Sequence, residues 1–258
     1  NARQVGLLSR ANSTVNIFMY VAGSAITFGS QTYLSKAFHA KQSLAPLLHR
    51  AIALVTAVGW PMLAVTTIAA EDVIVGLYGD QWVDAAPAIL PLAVMAAIEL
   101  AFHYKVPAFN AIGRPYLSSI PLLVTAAARI GIGVTLFTGD IVSFSWALML
   151  ATLATAPVWL VLQKRYLGTD IVPFIQMLLP SALISGLSAA AAFAALNVIH
   201  AAGVEFPLLR LALLAVPTGI VWLAALRLLA HPLFDEIALF AQKAGVWPGR
   251  DAARAEAG

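Results

Sequence analysis

The chain contains no cysteine, and only 10% of its 258 residues are charged. The absence of cysteine excludes disulfides, thiolate metal ligands and thiol nucleophiles. Soluble domains are about a quarter charged, whereas 61% of this chain is hydrophobic. So much apolar surface cannot be covered in water by a chain of this length. The composition therefore predicts that lipid surrounds most of the chain.

Signatures of several other protein classes are also missing. Lys and Arg occur singly or in pairs without interleaved aromatics, which argues against nucleic acid as a partner despite a net charge of +3. The five histidines have no metal-ligand spacing, and no Gly-rich phosphate loop or Walker lysine occurs. We therefore predict no catalytic residue, no metal, no cofactor and no enzymatic activity.

Long apolar runs dominate what is present. A transmembrane helix needs about 20 predominantly apolar residues, and helix is the assignment because backbone in lipid must satisfy its own hydrogen bonds. The sequence predicts an all-α polytopic transmembrane bundle over residues 1–230, with about seven spans. Its approximate spans are 12–35, 45–70, 85–104, 116–137, 141–163, 172–199 and 206–229. Residues 232–247 have an apolar stripe and are predicted to form an amphipathic helix on the inner membrane surface, followed by a flexible tail at 248–258.

The polar breaks between these segments alternate in charge. Lys36, Lys41 and Arg50 follow the first segment, whereas the break at 71–84 contains acidic residues and no base. Base-rich loops face the cytoplasm, so the first segment is predicted to start outside and the C-terminus to be cytoplasmic. An odd number of spans that starts outside also predicts earlier spans in a longer protein.

The break that reads GLYGDQWVDAAP is predicted to be an external turn. Gly79 permits a tight turn, Asp80 remains in water, and Trp82 lies at the headgroup boundary. Asp84 is predicted to cap the next helix, with Pro87 in its first turn.

Two charged residues fall inside predicted spans, where charge usually indicates function. Arg129 is about 20 Å from the inner end of its span at 1.5 Å per residue. It is therefore expected either to face a wet cavity or to pair with a neighbouring helix. Glu99 lies in the inner third of its span. It is expected either to bind a coupling cation or proton, or to form an ion pair with Lys105 or another helix. Its depth in the membrane does not make it an obvious partner for Arg129.

The first span also has a polar stripe. Asn12, Asn16 and Tyr20 recur every four residues and so share one helix face, with Arg10 at its outer mouth. Such a stripe either lines a water-filled path or joins helices through amide hydrogen bonds. The serines of the sixth segment, among them Ser181, predict close helix packing.

Three stretches resemble oligosaccharide flippases of lipopolysaccharide (O-antigen type) and polysaccharide biosynthesis. These proteins belong to the multidrug/oligosaccharidyl-lipid/polysaccharide exporter superfamily. The stretches are VGLLSRANSTVNIF, GLYGDQWVDAAPAILPLA and AIGRPYLSSIPLLVTAAARIGIGVTLF, within residues 5–137, about half of the chain. The matching motifs are Ser9-Arg10-Ala11, Gly79-Asp80-Gln81-Trp82 with Ala86-Pro87, and Gly113-Arg114-Pro115 followed by Arg129.

The resemblance implies the C-terminal lobe of a two-lobed exporter in the bacterial cytoplasmic membrane. Its partners would be membrane lipids, the missing N-terminal half of the same protein and a lipid-linked oligosaccharide. The substrate would be a polyprenyl diphosphate that carries a sugar chain, moved across the membrane by alternating access. Arg129 and Arg10 would attract the diphosphate, while Asn12 and Asn16 would contact sugar or line the path.

Other functions stay open at the level of sequence. A drug–ion antiporter of the same superfamily would be distinguished by direct drug or ion flux. A membrane-embedded glycan polymerase or transferase would form new glycosidic bonds, although only the 71–84 break clusters carboxylates outside the membrane. A scaffold without a transport role is a third possibility.

Overall fold

The computed structural model describes residues 2–27 and 30–243, which are helical with short connections and contain no strand. Two 3-10 helices, Asp80–Ala88 and Pro115–Ser118, directly precede α5 and α7. The α-helices in this part of the chain are α1 (Ala2–Thr27), α2 (Ser30–His39), α3 (Leu44–Ile68), α4 (Ala70–Tyr78), α5 (Ile89–Ala101), α6 (Lys105–Ala111), α7 (Ser119–Leu136), α8 (Ile141–Leu167), α9 (Ile171–Ala201), α10 (Pro207–Leu228) and α11 (Pro232–Lys243).

Six helical segments of the described residues are long and apolar enough to cross a membrane. They are Leu44–Ile68, Asp80–Ala111, Pro115–Leu136, Ile141–Leu167, Ile171–Ala201 and Pro207–Leu228. The prediction of an all-α, multi-pass membrane bundle is therefore confirmed. The first predicted span, 12–35, corresponds to parts of α1 and α2 and is not among the six; residues 28 and 29 lie outside the described residues. Of the predicted surface helix and tail, residues 244–258 also lie outside them.

The core forms around α3, which packs against α1, α5 and α9, while α8 packs against α5 and α7. Leu48, Val55 and Leu100 are among its fully covered side chains. By contrast, α7 is an edge helix, with Leu122 68% and Val134 81% exposed. Hydrocarbon chains are as apolar as leucine, so such a face needs no protein cover within a membrane.

One end of the bundle, called the hairpin end, contains residues 69–88, 137–140 and 202–206 together with the start of α1. Contacts between these segments establish their proximity. Arg3 pairs with Asp84 at 2.7 Å, and Arg210 pairs with Asp72 at 3.0 Å. The base-poor breaks of the sequence therefore meet at one end.

The opposite end, called the tail end, contains residues 40–43, 102–114, 168–170 and 229–243. Arg50 of α3 pairs with Glu236 of α11 at 2.7 Å, and the rings of Phe102 and Phe174 stack with centroids 5.6 Å apart. The base-rich breaks thus lie together at this end. The charge alternation along the sequence has a direct counterpart in the geometry of the bundle.

The predicted external turn at residues 79–82 is the start of a 3-10 helix. Gly79 has φ +94° and joins α4 to the helix Asp80–Ala88, in which Asp80 is exposed and Trp82 is half-buried. The prediction that Asp84 caps α5 is wrong, because α5 begins only at Ile89 and its N-cap, Ala88, makes no side-chain cap. The intervening 3-10 helix instead directs Asp84 towards Arg3.

Asp140 is a side-chain cap at the same end. Its carboxylate accepts the N–H groups of Val142 at 2.8 Å and Ser143 at 2.9 Å, at the start of α8. The Thr138 hydroxyl donates to it at 2.6 Å. These bonds, that of Thr138 first, lower the pKa of Asp140 to about 2. The connection between α7 and α8 therefore keeps its negative cap throughout the neutral pH range.

His231 fixes the start of α11. Its Nδ1 accepts the N–H of Leu233 at 3.2 Å, so the ring hydrogen of the neutral histidine belongs on Nε2, which lies 3.4 Å from the Ser181 hydroxyl. That hydroxyl is also 3.0 Å from the hydroxyl of Thr56 on α3. The predicted helix contact through Ser181 is confirmed, and the same hydroxyl links α11 to two helices of the bundle.

The stability of this arrangement is expected to depend on pH. Burial lowers the pKa of His231 below 6.5, so the unfolded chain binds the proton more readily and stability falls as pH drops below about 6.5. A protonated ring would lose its acceptor for the Leu233 N–H and place positive charge at a helix N-terminus. We expect the melting temperature of the detergent-solubilised protein to fall on acidification below this pH.

His231→Asn keeps a capping side chain without a titrating group and is expected to make the fall in melting temperature on acidification smaller. His39→Asn, which changes an exposed histidine of α2, is the matched control and is expected to retain it. An unchanged pH profile for His231→Asn would contradict the role of His231.

Candidate functional site

A polar cavity of about 340 Å³ lies between α5, α7 and α8. Besides apolar side chains, its lining contains three ionisable side chains and five hydroxyls: Glu99, Lys105, Arg129, Ser118, Ser119, Thr125, Thr152 and Thr155. These groups belong to segments that are apolar enough to cross a membrane, where polar side chains are costly and usually functional. We call this feature the polar cavity.

The sequence of α7 builds one wall of the polar cavity. Ser118, Thr125 and Arg129 are spaced by seven and four residues, which places them on one helix face. The hydroxyl of Thr125 contacts that of Thr155 on α8 at 3.0 Å. At 1.5 Å per residue, the wall from Ser118 to Arg129 is about 17 Å long. Since Ser118 directly precedes α7 at the tail end, the polar cavity extends from that end towards the middle of the bundle.

The cations of the polar cavity differ in their surroundings. The Lys105 Nζ lies 4.8 Å from the centroid of the Trp159 ring, and Glu99 is near enough to interact with it electrostatically. The exposed Arg129 has no carboxylate within ion-pair distance among the described residues. Arg129 therefore lines the polar cavity and has no ion-pair partner among the described residues. A place for Arg129 in a substrate path stays a prediction.

Arg10 is located elsewhere, in an aromatic clamp at the hairpin end. Its guanidinium carbon lies 5.1 Å from the ring centroid of Tyr78 and 5.0 Å from that of Trp82. Such cation–π contacts position an arginine without neutralising it. A Cβ on Gly6 would approach Trp82 to 3.1 Å, so glycine allows the ring to lie directly on α1.

The predicted site residues therefore do not form one cluster. Glu99 and Arg129 both line the polar cavity, but no ion pair joins them among the described residues, in keeping with the expectation that they are not obvious partners. Asn12 and Asn16 are exposed on α1, and neither lines the polar cavity or either of the two cavities described below. Both interpretations of this polar face, water path and helix contact, remain open.

Sequence reasoning missed Lys105 as a cavity residue and missed the hydroxyls. From the sequence, Lys105 was named only as a possible ion-pair partner of Glu99. The available signal was the spacing of Ser118, just before α7, with Thr125 and Arg129 on α7, matched by Thr155 on α8. Hydroxyls are easily overlooked because threonine also satisfies itself within a helix: the Thr155 hydroxyl donates to the Ala151 carbonyl at 2.8 Å.

Two further cavities have different linings. One, of about 460 Å³, has an apolar lining that includes Phe18, Met62 and Trp222 and no charged residue. The other, of about 410 Å³ at the hairpin end, contains the ion pair of Asp72 and Arg210. Neither offers a free cation together with hydroxyls. No group of three or more potential metal-binding side chains occurs in residues 2–27 and 30–243.

The first third of the chain, residues 1–87, matches the model of a protein family described as "Polysaccharide biosynthesis protein". The matched part contains α1 to α4 and the whole aromatic clamp of Arg10. No curated protein and no solved structure matches the chain. The molecule is thus an all-α, multi-pass membrane protein. Over its first third it is similar to polysaccharide biosynthesis proteins.

Proposed function

We propose that this chain is the C-terminal part of a transporter that flips polyprenyl-diphosphate-linked oligosaccharide across the bacterial cytoplasmic membrane. In this proposal the hairpin end faces outward and the base-rich tail end faces the cytoplasm. The similarity of residues 1–87 to polysaccharide biosynthesis proteins supports the substrate class. The helices that can cross a membrane support transport as the role.

The polar cavity is the observation that carries the proposal. A diphosphate in a low-dielectric medium needs positive charge, and Lys105 and Arg129 supply two cations against the single carboxylate of Glu99. Arginine can bind phosphate oxygens in bidentate fashion. The surrounding hydroxyls can bind sugar, and the uncovered outer face of α7 leaves the lipid chain in hydrocarbon.

The positions of the cations provide a path for the headgroup. Lys105 lies at the tail end, and Arg129 lies deeper along the same cavity. The diphosphate would enter near Lys105 and move to Arg129, with Arg10 as a third cation at the hairpin end. Alternating access between the two lobes would expose the headgroup first to one side and then to the other. No covalent bond is made or broken during this movement of the headgroup.

Glu99 supports a second candidate function, the exchange of a small molecule for a coupling ion.

The experiment that decides between flipping and exchange uses full-length protein in proteoliposomes with a fluorescent lipid-linked oligosaccharide. Flipping is measured as loss of accessibility to an impermeant quencher, and drug and ion fluxes are measured in parallel. Oligosaccharide flipping above that of empty vesicles is expected. Drug or ion flux without oligosaccharide flipping would replace this proposal with the antiporter.

A further inference from the structure

Two arginines from separate segments converge on one tyrosine ring at the tail end. The guanidinium carbon of Arg114 lies 5.2 Å from the ring centroid of Tyr166, and that of Arg165 lies 5.6 Å from it. Arg114 comes from the connection after α6, whereas Arg165 lies in the last turn of α8. Both arginine side chains are exposed, so the fold brings two accessible cations to one place.

The two charges are not neutralised by protein. Neither guanidinium has a carboxylate within ion-pair distance in the part of the chain that the structure describes. Asp170, the acidic residue nearest to Arg165 in the sequence, pairs with Lys164 at 3.6 Å. The ring attracts each guanidinium, but the like charges repel each other. An anion bound at the arginines would offset their positive charge and accept charge-assisted hydrogen bonds.

The position relative to the spans indicates which anion fits. Arg114 directly precedes the span Pro115–Leu136, and Arg165 lies at the end of the span Ile141–Leu167. Both therefore lie at the level of lipid headgroups. Val161, one helical turn before Arg165, is 59% exposed and can contact an acyl chain below a headgroup bound at Arg165.

We propose that Arg114, Arg165 and Tyr166 form a binding site for the phosphate of one anionic phospholipid in the leaflet at the tail end. The ring positions the guanidiniums, the guanidiniums bind the phosphate, and exposed apolar side chains of α7 and α8 contact the acyl chains. This site is separate from the polar cavity and does not depend on the proposed transport function. Basic pockets between helices are a known means of recognising anionic headgroups.

The test measures binding of phosphatidylglycerol with a fluorescent acyl chain to the purified protein in non-ionic detergent. Saturable binding is expected, with little binding of phosphatidylcholine that carries the same label. Arg114→Gln/Arg165→Gln is expected to weaken binding roughly 30-fold, which is about 2 kcal/mol at 1.4 kcal/mol per factor of ten. Inorganic phosphate is added as a competitor and is expected to leave the lipid bound.

Two matched controls separate this site from general surface charge. Lys36→Gln/Lys41→Gln removes the same charge from exposed residues and is expected to change affinity less than threefold, by about 0.7 kcal/mol at most. Tyr166→Leu keeps both arginines but removes the ring, so lipid binding is expected to weaken clearly. Tyr166→Phe keeps an aromatic ring and is expected to bind the lipid like wild type. The proposal is overturned if the double arginine variant or Tyr166→Leu binds like wild type. Equal weakening by the lysine variant, or displacement by inorganic phosphate, would overturn it as well.

Discussion

Arg129→Gln in the full-length protein is expected to reduce oligosaccharide flipping roughly 100-fold. A hydrogen bond to a charged group contributes about 1.5–3 kcal/mol, and the upper value applies where lipid excludes water. Arg129 is the deepest cation of the polar cavity, so its loss leaves the diphosphate without positive charge in the middle of its path. Arg129→Lys keeps the charge but not the bidentate geometry and is expected to retain part of the activity.

The matched control is Arg227→Gln, which removes an exposed arginine from the last turn of α10, outside the polar cavity. Flipping is expected to remain within twofold of wild type, a change below about 0.5 kcal/mol. The measurement is the quencher-based flipping rate at equal protein density in the vesicles. If Arg129→Gln flips as well as Arg227→Gln, Arg129 does not bind substrate.

Arg210→Met is expected to destabilise the protein by about 3 kcal/mol, because it leaves the buried carboxylate of a partly buried ion pair without its partner. The Asp72 side chain is only 8% exposed, and Arg210 lies 3.0 Å from it. The Arg210 Nε also donates to the Val204 carbonyl at 2.6 Å. His200, at 3.8 Å from Asp72, can replace only part of the lost interaction.

The free energy of unfolding is measured by titration with a denaturing detergent. Arg227→Met, the same substitution on the same helix, controls for the change in side chain. Asp72→Asn is expected to lower the free energy of unfolding by less than Arg210→Met does, since the Arg210 side chain is 24% exposed and can contact water. The double variant is expected to recover some stability relative to Arg210→Met. Equal unfolding free energies for Arg210→Met and Arg227→Met would contradict the importance of this pair.

The helical architecture is predictable because a lipid environment requires long apolar segments in the sequence. A long apolar run has only one way to satisfy its backbone in hydrocarbon, so hydropathy alone gives the spans from α3 to α10. The first predicted span, 12–35, includes residues 28 and 29, which lie outside the described residues, so that span stays a prediction.

The site is less predictable because its contacts join residues distant in sequence. Nothing local to Arg10 indicates that rings at positions 78 and 82 cover it. Nothing in the sequence indicated that Glu99 and Arg129 line one cavity, because α5 and α7 are brought together by their packing against α8. Side-chain chemistry was therefore predictable, but its grouping required the fold.

Cysteine labelling in intact cells tests the membrane arrangement most directly. Gln81 at the hairpin end and Gln42 at the tail end are both exposed, and this chain has no cysteine of its own. With a membrane-impermeant maleimide, Gln81→Cys is expected to label in intact cells, whereas Gln42→Cys is expected to label only after permeabilisation. Labelling of Gln42→Cys but not Gln81→Cys in intact cells would invert the arrangement and contradict the proposed direction of transport.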